Sequence, residues 1–145
     1  MFGSLMSTAL SMIPALGNPQ KSYVVAGAII SCSYGTKMTR LHMPVSHGAF
    51  VKGKPQMSTA DYKPNLNIQP FGKCLSIQNP AVASGTAANG DILKPVPCTP
   101  MVTMPWQGGK TDVLIENEPA MLNDCTNMCL YCGDLKIEDD GQDLA

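Results

Sequence analysis

Four of the six cysteines, Cys32, Cys74, Cys98 and Cys129, stand at matching places in a degenerate internal repeat. CSYGTKMTRLHMPVSHGAFVKGKPQM begins at Cys32, and CTPMVTMPWQGGKTDVLIENEPAM begins at Cys98. Each copy carries a Met-Pro (Met43-Pro44, Met104-Pro105), then a Gly, a short β-like run, a polar pair, and a Pro leading to Met57 or Met121. A further cysteine closes each copy, so the half-repeats span about 32–74 and 98–132. Cys32-Ser33-Tyr34-Gly35 is echoed by Cys129-Leu130-Tyr131-Cys132-Gly133. Two copies folded about a common axis bring four thiols together. Four thiolates make a closed tetrahedral zinc site, which supplies folding energy because the unfolded chain cannot hold the ion. Two disulfides, or buried free thiols, satisfy the same arrangement.

The remaining candidates are weaker. Cys125 and Cys132 fall outside the paired set; they are spare ligands or small buried hydrophobes. Only Cys129-x-x-Cys132 has the spacing of a metal knuckle. His42 and His47 can replace a cysteine ligand or serve a catalytic thiolate, but each taken singly reads as a turn or surface histidine. There is no Ser-His-Asp order, HExxH or phosphate-binding glycine loop. No enzyme is expected. Asp61, Asn65 and Asn67, with Pro64 and Pro70, predict a rigid loop in which short polar side chains cap turns. Trp106 is expected in the core.

The elements that must position these residues are short. Glycine (13) and proline (12) cut the chain into small pieces and leave little room for long helices. Tyr23 to Ile30 predicts a strand, as do Lys37 to Met43, Ala49 to Val51, Val113 to Ile115 and Leu135 to Ile137. Turns are expected at Gly53-Lys54-Pro55, Asn117-Glu118-Pro119 and Glu138 to Gly141. Residues 80–97 predict a connector with a helical turn around Ala87-Ala88. Residues 1–21 form an arm whose Met6–Leu16 stretch has apolar residues near one helical face, weakened by Pro14. Uncharged and rich in Met and Leu, the arm is expected to pack on a partner. Residues 22–145 form the domain.

Composition narrows the classes further. Charged residues are only 14% of the 145 and the net charge is −1, so no basic field recruits nucleic acid or anionic membrane. No apolar stretch reaches the ~20 residues of a membrane-spanning helix. No Lys or Arg precedes the apolar part of the N-terminus, so no signal peptide is expected. The cysteines are then expected to meet a reducing cytoplasm first, which favours metal or free thiol over disulfides.

SYVVAGAIISCSYG, DYKPNLNIQPFGKC, PVPCTPMVTMPW and VLIENEPAML…CLYCGDLKIEDDGQ resemble the DUF4280 family of PAAR-like proteins, over roughly residues 22–142. The resemblance implies a mainly β fold, a compact cone or β-prism of short hairpins, here with an N-terminal arm. It implies a spike-tip protein capping the trimeric, VgrG-like spike of a contractile injection system, one copy per trimer. Such a tip is assembled in the bacterial cytoplasm and contacts a target membrane transiently on puncture. Toxin effectors are implied as cargo, and a toxin adaptor away from the tip is the alternative role. A metal near the apex is also implied. PAAR ligands are mostly histidines, however, so any metal here must draw on cysteines. Many relatives carry two glycines where this chain has Cys132-Gly133. With only two half-repeats recognised, one chain is expected to meet the three-fold spike without matching its symmetry.

Overall fold

In a computed structural model that describes residues 20–144, three short segments close on one another as a ring. They are Tyr23–Ala28, Gln56–Asp61 and Ala120–Cys125. Val25 bridges Gln56, Ser58 bridges Ala120, and Leu122 bridges Tyr23. The third residue of each segment thus pairs with the first of the next. At the middle positions, the Val24 amide donates to the Met121 carbonyl (3.0 Å), Met121 to Met57 (3.1 Å) and Met57 to Val24 (2.9 Å). The fourth positions repeat the pattern one residue further back: Ala26 donates to Pro55 (2.8 Å), Thr59 to Pro119 (2.9 Å) and Asn123 to Ser22 (3.0 Å). Each segment then turns back on itself, with Ala28 donating to Val25, Asp61 to Ser58 and Cys125 to Leu122. The hydrogen bonding is three-fold, although the sequence is not. Val24, Met57 and Met121 are fully buried in one core cluster.

Ring residues Ser58 and Leu122 show why the sixth position differs. Their amides are buried and need acceptors. Asp61 Oδ2 accepts from Ser58 at 2.8 Å, and Cys125 Sγ accepts from Leu122 at 3.3 Å. Ala28 has no such atom, and the Val25 amide donates instead to the Asp140 carbonyl (3.0 Å). Close approach of the C-terminal turn makes that possible: a Cβ on Gly141 would stand 2.8 Å from the Ala28 nitrogen.

Around the ring the strands are short and antiparallel. They are β1 (Ile29–Cys32), β2 (Thr39–Arg40), β3 (Phe50–Val51), β4 (Lys54–Pro55), β5 (Lys73–Cys74), β6 (Val96–Pro97), β7 (Lys110–Ile115), β8 (Glu118–Ala120), β9 (Thr126–Met128) and β10 (Asp134–Asp139). One sheet has the order β2-β1-β10-β9; β3-β4, β5-β6 and β7-β8 are separate pairs. Two hairpins lead into ring segments. Their two-residue turns are Lys52-Gly53 and Glu116-Asn117, all four residues at positive φ, which suits the strand twist. The helix α1 (Pro80–Ala88) begins at Asn79, whose side chain accepts from the Ala81 amide, with Pro80 opening the first turn.

The chain is mainly β, built of several small antiparallel sheets, as expected. Differences lie in detail. Tyr23 to Ile30 is not one strand: an Ala26-Gly27 turn, with Gly27 at φ 94°, separates the ring segment from β1. Turns begin one residue before Gly53 and Asn117, leaving Lys54-Pro55 and Glu118-Pro119 in strands. The final strand continues through Glu138 to Asp139. The connector holds a nine-residue helix in place of a single turn. Trp106 is buried, and its Nε1 donates to the Asp61 carbonyl at 3.1 Å. Residues 1–19, which include the proposed arm helix, lie outside the described residues. Among the described residues, no helix is long and apolar enough to cross a membrane.

Candidate functional site

Cys32, Cys74, Cys98 and Cys129 line one small, partly open cavity of about 20 Å³, room for a single atom-sized guest. Each sits at a strand end: Cys32 closes β1, Cys74 closes β5, and Cys98 and Cys129 directly follow β6 and β9. Strand β1, rising about 13 Å over four residues, carries the chain from the ring to this cavity.

Backbone bonds tie the four segments together. Gly35 bridges Cys74, and the Leu75 amide donates to the Tyr34 carbonyl at 2.9 Å. Cys98 donates to the Gly72 carbonyl (2.8 Å), and Leu130 donates to Met101 (2.9 Å). Ser76 Oγ donates to the Tyr131 carbonyl at 2.5 Å. Two glycines permit this convergence. A Cβ on Gly35 would lie 2.5 Å from Phe71 Cβ, and a Cβ on Gly133 would lie 2.5 Å from Cys32 Sγ. Cys32 sulfur therefore fills the space a side chain at 133 would take.

Burial raises the pKa of the Cys32 thiol; the Tyr34 amide opposes the shift, and the neighbouring Cys129, Cys98 and Cys74 add to it. Burial likewise raises Cys98, opposed by a backbone hydrogen bond from Phe71 and reinforced by Cys74 and Cys129. The thiols are thus close enough to disfavour one another's ionisation. A bound dication reverses that balance, since it stabilises each thiolate outright. All six cysteines are free. Among the described residues, no three His, Cys, Asp or Glu side chains form a group that could hold an ion as they stand. The donor set of four sulfurs suits zinc in its chemistry; the sulfurs are gathered at one cavity without being closed about an ion.

The other candidates lie elsewhere. Cys125 is the buried turn cap of the third ring segment, and Cys132 is exposed. His42 is exposed, its Nδ1 facing the Leu66 carbonyl at 3.4 Å. His47 lies between two carboxylates: Nδ1 is 2.5 Å from Glu116 Oε1, and Nε2 is 2.9 Å from Asp61 Oδ2. Neither histidine lines the cysteine cavity. Asn65 holds a positive φ of 63° and Asn67 Nδ2 donates to the His42 carbonyl at 3.0 Å, so 61–68 is a hydrogen-bonded loop.

A ring of three chain segments at one end of β1 and a pocket of four cysteines at the other define a small β module. The chain belongs to the DUF4280 family, a domain of unknown function, whose profile matches residues 24–142. No curated protein and no solved structure matches the chain.

Proposed function

We propose that this chain is the tip of a contractile injection spike, one copy capping a trimer. The observation that supports this reading most is the ring. Its three-fold hydrogen bonding gives a single chain a local symmetry that suits a homotrimer's end, which the two half-repeats alone did not offer. Hairpins β3-β4 and β7-β8 flank the ring, with Phe50 and Leu114 exposed on them. Short strand edges and apolar side chains there can add to the open strand ends of a partner. The cysteine cavity then points away from the spike, and zinc held by Cys32, Cys74, Cys98 and Cys129 stiffens a point too narrow for a large core. The role is mechanical, with toxin effectors as possible cargo.

Coexpression with a trimeric, VgrG-like spike from the same genome tests the reading. Native mass spectrometry should give one chain per trimer. Three chains per trimer, or no complex, refutes it. Binding to a toxin without the trimer supports the adaptor role instead, for which exposed Met101, Met104, Met128 and Leu130 offer an adaptable surface.

A further inference from the structure

Cys132 is the one cysteine of the six that is exposed, and it does not line the cavity. It sits on the loop joining β9 to β10, three residues after Cys129. Its amide donates to the Cys129 carbonyl at 2.9 Å, which closes a β-turn. Such a turn holds the two Cα atoms within about 7 Å, the span a disulfide bridges. Cys132 also holds φ at +71°, a left-handed conformation that a side chain disfavours and a glycine adopts freely. A thiol kept at a strained position beside the half-buried Cys129 thiol points to a use for its sulfur.

We propose that Cys132 is a redox latch on the cysteine cavity, capturing Cys129 in a disulfide and withdrawing that sulfur from the ligand set. The proposal rests on the zinc reading of the site. The oxidant is a low-molecular-weight disulfide. The Cys132 thiolate attacks its S–S bond, forming a mixed disulfide and releasing one small thiol. The Cys129 sulfur then attacks the Cys132 sulfur and expels the second small thiol. Two protein thiols are oxidised to one disulfide, and the small disulfide is reduced to two thiols. Three thiolates remain at the cavity, and a site that lacks its fourth ligand holds zinc less tightly. The exposed member of the pair meets the oxidant first, and the turn supplies the second.

The experiment treats the zinc-loaded chain with oxidised glutathione in the presence of a chromogenic zinc chelator, and maps disulfides by peptide mass spectrometry. Zinc release should accompany a Cys129–Cys132 disulfide. Cys132→Ser should bind zinc equally and release it at least tenfold more slowly; Cys132→Gly, which removes the strain as well as the thiol, should do the same. Equal release from wild type and both variants, or a disulfide between other cysteines, overturns the latch. A chain that holds no zinc before oxidant is added refutes the reading beneath it. A chain that holds zinc yet forms no Cys129–Cys132 bond refutes the latch alone.

Discussion

Cys132 and Gly133 are neighbours with opposite demands. Cys132 occupies a conformation that costs a non-glycine residue about 1–2 kcal/mol, so Cys132→Gly should raise the unfolding free energy by about 1 kcal/mol, read from denaturant midpoints. Gly133 has no room for even a methyl, because its Cβ would meet Cys32 Sγ at 2.5 Å. Gly133→Ala should therefore cost about 1–3 kcal/mol by the same measurement and disturb the cavity. Residues of this kind were partly legible in the sequence. The echo between Cys32-Ser33-Tyr34-Gly35 and Cys129 to Gly133 places both cysteines at one cavity. Cys74 and Cys98 follow from the repeat. The sequence does not show that Cys125 and Cys132 part ways, one capping a buried turn and one facing solvent, because spacing along a strand does not say which side a turn presents.

Hairpin β7-β8 and the loop before β3 are joined by His47, whose ring bridges Glu116 and Asp61. Burial alone would lower the His47 pKa, but its hydrogen bonds to Asp61 and Glu116 outweigh that and raise it. A raised value means the folded state favours the imidazolium. The clasp's stability is then fully present below the unfolded histidine's pKa of about 6.5 and is lost as pH rises through the folded value. Urea midpoints of wild type and His47→Gln should differ more at about pH 6 than at about pH 9; a gap that widens on going alkaline would contradict the clasp. Strands were legible where β-branched residues met turn residues, as at Val113 to Ile115. The clasp was not, since His47 and Glu116 are 69 residues apart in sequence. Helix α1 was underestimated because its small residues, PAVASGTAA, bury little beyond Val82, and its start signal lies at Asn79-Pro80.

Across the whole molecule, the two half-repeats supply two ring segments, with Met57 and Met121 at the same position in each. The third precedes the first cysteine, and its Ala26-Gly27 turn is hidden inside an apolar run that reads as one strand. Three-fold order is therefore carried by backbone bonds, which tolerate Val, Met and Met alike at the centre. The zinc reading makes its own demand at this scale: about one zinc should copurify per chain, and chelation should lower the melting temperature by several degrees or more. Metal-free chain with full stability would refute it. Ring closure also fixes when the molecule can fold. Val24 must meet Met121 across nearly the full length of the domain, and β1 must pair with β10. Contacts this distant in sequence place folding in the slower range of small domains. A nascent chain cannot close the ring until its third segment has left the ribosome. Until then Val24 and Met57 are two sides of a triangle with an open edge, and a truncation before Ala120 should accumulate as aggregate in a solubility assay.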